Sequence, residues 1–396
     1  MTAQPVTPAR SALRAWIAAI LGVAVGLAPT ASIAAGAATP VHLSLFHPVS
    51  TNKDPNVNTN FALSIIQSRT GNLHGVGLHG IVSQNSGDVH GVLLTGAYAR
   101  VRGDASGLVS SMLGTSVGGD MKGFQSAWIF NFNDGSMSGI QMGGLLNFNR
   151  KDASGIQLAG ILNSNGGKSG FFQVATVANA SGGPVKGLQV AGFMNIAQTD
   201  LSGVQVAVGN LAVDARGAQV GMFNRAGTMH GVQLGVVNRA EENHGIPLGP
   251  INLSRKNGRA EVVLFGSTYS AVNVGIRTEV NHFSSMLTAG GVDLEGDVQT
   301  AGFVTWTYGY RFPLGGKLGL ITDAGMTHVM PKKSDDPADN DQLHYGLLAR
   351  ALVELRPSQH VAVFGGPGVT QIYENYGDHP AHESKMLWTL GLSVEP

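Results

Sequence analysis

Cysteine is absent from the 396 residues. That absence removes a disulfide framework, a zinc–thiolate centre and a cysteine nucleophile together. Charge is scarce as well. Only 13% of residues are Asp, Glu, Lys or Arg, and 25 basic residues balance 25 acidic ones. No global field therefore invites nucleic acid. Aromatics make up 7%. Downstream of the N-terminal segment no apolar run is long enough for a spanning helix. Glycine fills the space instead, with 56 residues, about twice the usual share. Since 43% of the chain is hydrophobic and no strict G-X-Y triplet runs through it, the protein is neither disordered nor collagen-like.

Residues 1–34 read as a processing segment. Arg10 and Arg14 precede an apolar run from Ala15 to Leu27, and Ser32-Ile33-Ala34 fits a small-residue cleavage site. A membrane anchor competes, but the run is short for a spanning helix and Gly and Pro crowd its end. A signal peptide implies export. Loss of its two Arg leaves 23 basic against 25 acidic residues (25 − 2 = 23).

Glycine also marks a ruler. Gly245, Gly231, Gly217 and Gly203 are fourteen residues apart, and Gly187 lies sixteen before Gly203. The same step of sixteen reaches Phe171 (beside Gly170), Gly155, Gly139, Gly123, Gly107, Gly91 and Gly75, giving twelve units from about residue 75 to 258. Gln stands two after the mark in most units: Gln125, Gln141, Gln157, Gln173, Gln189, Gln205, Gln219 and Gln233. Asn stands eight after it in the long units (Asn131, Asn147, Asn163, Asn179, Asn195) and seven after it in the short ones (Asn210, Asn224, Asn238, Asn252). The unit is G-φ-Q-φ-(x)-G-φ-φ-N, with φ apolar. Chance does not hold such a phase over twelve units.

So short a unit suits short strands. In a parallel β-solenoid each unit is one coil, stacked at about 4.8 Å; in a single large barrel each would be one strand plus a turn. The change of period favours the solenoid. Between "GIQLAGILN" (155–163) and "GVQLGVVN" (231–238) one residue is lost from the middle. Inside a continuous strand that loss would flip every later side chain. At a glycine corner it only tightens the bend. The second lost residue comes from the polar connection. Twelve coils would rise about 55–60 Å. The φ positions are expected to face inward as a narrow apolar core, with Gln and Asn in hydrogen-bonded ladders along the stack. Residues 35–70, which include "VHLSLFHPVSTN", are expected to form a strand-loop-strand cap over the open sheet edge.

From residue 259 to 396 the period changes to long alternating strands, about eight: 260–267, 269–280, 283–292, 299–312, 317–330, 342–356, 360–373 and 385–395. "TAGFVTWTYGYRF" puts Val304, Trp306, Tyr308, Tyr310 and Phe312 on one face. "KMLWTLGLSVE" does the same with Met386, Trp388, Leu390, Leu392 and Val394. Tight connections ("PLGGK", "RPSQ") alternate with longer polar ones ("PKKSDDPADND", "ENYGDHPAHES"), as in an outer-membrane barrel. A soluble antiparallel barrel also alternates, and the ending "GLSVEP" lacks the terminal aromatic that many outer-membrane barrels carry.

The "GLQVAGFMN" and "GVQLGVVN" repeats, the lead-in "LSLFHPVSTN" and the later "VAVFGGPGV" resemble the surface-repeat protein family of Gram-negative bacteria, over about residues 41–370. The resemblance implies a cell-surface or outer-membrane setting. That family has no established activity, so no catalytic residue is implied. The chain departs from the pattern at 91–122, where Gln and Asn fail, and at Pro247 and Pro250.

Chemistry finds little footing. His74 and His90, like His230 and His244, fall in one column one unit apart. Ser106, Lys122, Ser138, Ser154, Lys186, Ser202 and Arg216 share it, so an exposed polar corner is expected and no metal site. "NGGKSG" lacks the full phosphate-loop spacing. Asp is read as out of phase and the calcium-repeat pattern is absent, so no calcium roll is expected. Asp335, Asp336, Asp339 and Asp341 share one loop, read as solvated rather than cation-binding. No nucleophile elbow occurs, and the repeat columns lack the clustered carboxylates of a carbohydrate-active solenoid enzyme. The expectation is an all-β, non-enzymatic, exported protein with no catalytic, cofactor-binding or metal residues and no cofactor. It pairs a β-solenoid (71–258) with an antiparallel barrel-like domain (259–396). Its role would be structural or adhesive, with outer-membrane or cell-surface components as partners and no nucleic acid. The alternative is a single large outer-membrane barrel acting as a pore.

Overall fold

The computed structural model describes residues 38–268, 270–291, 300–331, 344–376 and 379–396. The expected signal peptide and the loop of Asp335, Asp336, Asp339 and Asp341 lie outside the described residues. A parallel β-solenoid of about 14 turns is followed by a closed antiparallel barrel of eight strands. Contacts divide the chain into two compact units, 1–138 and 139–396, and each is described by itself.

In the first unit, Ala38–Phe46 lies parallel to Asn58–Ser64, which in turn lies parallel to Leu73–His79. The segment expected as a cap therefore adds turns to the stack, and only Val49–Ser50 folds back antiparallel. From Leu73 each coil uses sixteen residues. A seven-residue strand (Val89–Thr95) meets a two-residue corner, a four-residue strand (Tyr98–Val101) and a three-residue connection. The sequence ruler is the stacking register: His74, Gly75 and Val76 sit over His90, Gly91 and Val92. Where Gln and Asn fail, the interior is apolar, with Leu93, Val101, Val109 and Val117 buried.

In the second unit the interior is different, and it corrects the sequence expectation. The φ residues flanking Gln and Asn point outward. Met142, Leu145, Ile161, Val177, Phe193, Met222 and Val236 are exposed, whereas Gln141, Gln157, Gln173, Gln189, Asn147, Asn163, Asn179 and Asn195 are buried. Strand alternation forces the choice, because Gln and its φ neighbours must face opposite sides. The amides win the inside because stacking satisfies them. Each Asn Nδ2 from Asn147 to Asn238 donates to the Oδ1 of the next Asn along the stack at 2.8–3.1 Å. Each Gln Nε2 from Gln157 to Gln233 donates to the preceding Gln at 2.7–3.0 Å. The two ladders thus run in opposite senses. An apolar seam lies beside them, built from Val185, Ala197, Leu201, Ala212, Ala215, Ala226, Met229 and Ala240.

The glycine mark has a steric cause. At Gly155 the backbone takes φ +107, and an added Cβ would lie 2.0 Å from the Gly139 carbonyl oxygen one coil below. Phe171 occupies this slot with φ +81 and stays 71% exposed. The shortening to fourteen residues also has a clear form. The two-residue corner is kept (Gly235-Val236), and the first strand ends one residue earlier, at Leu234. The connection loses one residue and is drawn into a continuous strand, as in Gly209–Val220 and Val237–Asn243. Gln219 still stacks on Gln205, and Asn224 on Asn210.

The barrel strands are Gly258–Ser267, Asn273–Val280, Phe283–Gly290, Thr300–Gly315, Leu318–Pro331, His344–Leu355, Val361–Tyr376 and His379–Val394. They match the eight expected. The first pairs with the last, Val262 opposite Val394 and Leu264 opposite Leu392, which closes the sheet.

Two outcomes test this account. Asn179→Ala removes the donor to the Val190 carbonyl and the acceptor for Asn163. It should destabilise the repeat region by ~2–3 kcal/mol, whereas Lys168→Ala on the exposed edge should stay within about 0.5 kcal/mol; urea unfolding followed by hydrogen exchange across 163–206 measures both. Phe171→Gly should stabilise the same region by about 1 kcal/mol, since it relieves a left-handed backbone on an aromatic residue. An unchanged or lower midpoint would remove the strain argument.

Candidate functional site

The barrel is inside-out. Its outward positions are apolar: Val262, Leu264, Val274, Ile276, Val304, Met326, Leu347, Val353, Leu355, Val363, Val369, Met386, Trp388, Leu390 and Leu392 are all exposed. Its inward positions include the chain's largest buried charges. An eight-stranded barrel is only wide enough for side chains to fill, and here ionic groups share the interior with an apolar cluster of Val263, Phe265, Met286, Ile321, Leu352 and Phe364. Arg277 bridges Glu261 and Glu354 (Arg277 Nη2 to Glu354 Oε1, 2.6 Å). Arg356 joins the same two carboxylates (Nη2 to Glu354 Oε1, 2.9 Å) and reaches Glu279 at 3.5 Å. Arg311 Nε donates to Glu354 Oε2 at 2.7 Å. Three guanidiniums thus face three carboxylates, so the cluster is neutral and its buried charges are paired. Further along, Arg350 grips Asp323 bidentately at 2.9 and 2.7 Å. Beyond that pair lies a void of only about 60 Å³, lined by Phe265, Thr305, Thr327 and Thr389 among others.

On one side of the wall polar residues interrupt the apolar surface, and they meet the last solenoid coil. Ser285 Oγ donates to the Gly249 carbonyl at 2.8 Å, Tyr308 Oη to the Pro247 carbonyl at 2.9 Å, and Asn252 N–H to Thr278 Oγ1 at 3.2 Å. Trp306 Nε1 in turn donates to Ser285 Oγ at 3.0 Å. These contacts occupy the open edge of the terminal coil, where no further coil can pair. Pro247 stands in the Gln column there, over Gln233. Lacking an N–H, it leaves no donor unpaired at the edge. Above this junction a groove of about 810 Å³ is lined by Val206, Met222, Leu234, Val236, Trp306 and Tyr308 among other residues.

The His column is where the sequence placed it. His74 and His90 lie 5.2 Å apart between ring centroids, and His230 and His244 stack at 5.0 Å. His90 meets Ser106 (2.9 Å) and His244 meets Glu242 (3.0 Å). Glu242, half-buried, is held below the usual carboxylate range chiefly by its hydrogen bond to Lys256. Among the described residues no group of three or more His, Asp or Glu is placed to hold a metal.

Two features escaped the sequence reading. Asp88, Asp104 and Asp120 do recur in phase, sixteen apart. Asp88 and Asp104 each accept the backbone N–H of the next Asp, at 2.8 and 2.7 Å, and Asp120 accepts that of Ser136 at 2.8 Å. The column therefore ties connections together. Inside the first turns, His79 is buried against Ser64 Oγ (2.9 Å). Burial, with the neighbouring His42 adding to it, pushes its pKa down to about 4.

A depressed histidine pKa means that the unfolded chain binds the proton first. Stability from neutral His79 is full above about pH 6.5 and is lost as pH falls toward 4. The loss is at most about 3 kcal/mol. His79→Thr, which copies the residue stacked on it (Thr95), should flatten this acid dependence, read by hydrogen exchange across 58–101 between pH 7 and 4. Equal acid sensitivity in the variant would exclude His79 as the cause.

No protein-family model matches the chain, and no curated protein does. Solved structures similar to the chain include two β-barrels. The N-terminal β-barrel domain of Pseudomonas aeruginosa OprF is 15% identical with a TM-score of 0.27, over 35% of this chain and 96% of that one. A work on de novo design of transmembrane β-barrels gives 14% identity and a TM-score of 0.22, over 35% and 94%. At such TM-scores the likeness carries no argument. The barrel itself stands on its own strand pairing: eight antiparallel strands closed on themselves, apolar outside, with paired charges and an apolar cluster inside.

Proposed function

We propose that this is a non-enzymatic, exported envelope protein, anchored in the outer membrane by its barrel and carrying its solenoid as a structural or adhesive arm. One observation supports the reading above the others: the apolar face of the barrel points outward. A soluble barrel buries that face, whereas a transmembrane barrel presents it to lipid and keeps its interior polar. The long strands, of 12 to 16 residues from Thr300 onward, exceed the roughly 9–11 residues that cross the hydrocarbon. The resemblance of the repeats to the surface-repeat family points to the same compartment.

The pore alternative loses its footing in two ways. The repeats pair in parallel, one coil on the next, so they are not spanning strands. The separate barrel carries the Glu261–Arg277–Glu354–Arg356 cluster within it, so anchoring fits it better than conduction.

The protein should stay in the membrane pellet after alkaline carbonate washing and require detergent for release. Purified into planar bilayers, it should give no conductance steps. Leu390→Lys, which puts a charge on the outer wall, should cost insertion about 2–4 kcal/mol at mid-bilayer. Complete recovery in the soluble periplasmic fraction without detergent would refute the anchor.

A further inference from the structure

The second unit's coils carry an apolar column that nothing in their own fold uses. Leu145, Ile161, Val177, Phe193, Met222 and Val236 follow one another at the corner, one per coil, and all are exposed, Phe193 to 60%. The interior cannot be their destination, because the amide ladders and the Ala-rich seam fill it. Most of the charge lies away from the corner, at Lys151, Asp152, Lys168, Lys186, Asp214 and Glu241, while Arg225 and Arg239 stand exposed on the second strand of their coils. Each coil is thus amphipathic across its width.

The junction with the barrel gives this stripe a direction. The short turns of the barrel, Asn281-His282 and Gly316-Lys317, lie at one end. Near the short turn, Asn281 reaches the Gly245 carbonyl. The corner of the same coil, Pro247 to Pro250, sits further along the wall, against Tyr308 and Ser285. The apolar corner therefore faces the middle of the barrel wall, and the edge that carries the charge faces the short-turn end. Aromatic residues cluster at this level, with Phe283 against Tyr308 and Tyr310 at centroid distances of 6.0 and 5.3 Å, as in the interfacial girdle of a membrane barrel. The corner stripe and the wall share one surface, since the groove at the junction is lined by both.

We infer that the coils of residues 139–250 lie in the plane of the membrane interface, with their corner column set into the acyl region of the leaflet on the short-turn side. In outer-membrane barrels that side is periplasmic. The occupant of the stripe is lipid acyl chain, as for an amphipathic helix lying in an interface, with strand corners in place of a helical face. This rests on the reading of the barrel as a membrane anchor.

The absence of native cysteine makes the test direct. Spin labels are attached to Val177→Cys and Val236→Cys at the corner, Lys168→Cys on the charged edge and Leu390→Cys on the barrel wall. Each full-length variant is reconstituted into phosphatidylethanolamine–phosphatidylglycerol vesicles, and collision with oxygen is compared with collision with a water-soluble nickel chelate. The corner labels should behave like Leu390, with oxygen dominating, and the ratio should invert at Lys168. Corner labels that collide with nickel as freely as Lys168, while Leu390 reads lipid, would overturn this inference alone. Labels at Leu390 that also read water would overturn the anchor and this inference with it. Corner labels shielded from both colliders and broadened by a neighbouring spin would mean that a second copy covers the stripe, which also overturns it.

Discussion

The coils from residue 139 to 252 depend on one interaction, the hydrogen bond between identical amides on successive coils. A buried amide without partners is costly, and a single coil offers too few, such as Asn165 Nδ2 to Gln157 Oε1 at 2.7 Å. Stacking supplies the rest: Asn163, for example, accepts from Asn147 and donates to Asn179. Once Gln and Asn are inside, strand alternation leaves no choice for Ile, Leu, Val and Phe on either side of them. They go out. The same ladders explain why the register survives the change from sixteen to fourteen residues. The residues lost come from the end of a strand and from a connection, neither of which bears an amide of the ladder. Asn195 bonds Asn210 at 3.1 Å across the change, much as Asn210 bonds Asn224 at 2.9 Å beyond it.

A ladder must end somewhere. At its last rung Asn252 turns its Nδ2 to the carbonyl of Gly249 within its own coil, at 2.8 Å, and its backbone N–H is taken by Thr278 of the barrel. Ser285 and Tyr308 satisfy the neighbouring carbonyls. These three are polar interruptions of an otherwise apolar wall, and they fall where the wall meets the coil. The barrel is thus an end-cap for the sheet edge of its own unit as well as a body with its own closed sheet.

Much of this was legible in the residues. The ruler of Gly245, Gly231 and Gly217 gives the coil directly, because stacked backbones penalise a Cβ at that mark, Phe171 being the exception. The barrel strands were legible from alternation alone. What alternation does not contain is the sign, since Val304-Thr305-Trp306 reads the same with either face inward. For the repeats the missing sign was present in another form. The column before the mark holds His, Ser, Lys and Arg without preference, which is how an exposed position behaves. Applied to the Gln and Asn columns, the same test gives the opposite answer, because unit after unit admits one residue type. Weighing side-chain polarity above column uniformity put the φ residues inside. The Asp88–Asp104–Asp120 column is itself legible, since its step of sixteen is that of the ruler; only its backbone N–H partners leave no trace in the sequence.

The scarcity of charge can now be placed. A chain that turns apolar side chains outward in both its repeat and its barrel gathers much of the charge of its described residues in two regions. One is the barrel interior, where six of them neutralise one another around Glu354. The other is the edge of the coils away from the corner, where Lys256 pairs with Glu242, and Arg255 with Glu241. Neither region is large, which fits a charged fraction of 13%. Part of the apolar remainder is buried within coils and barrel, and the exposed corner column and barrel wall border one groove at the junction. For a protein in water that arrangement would be a defect repeated along the stack and around the wall. Its regularity is the physical reason to regard the surrounding medium as part of the fold.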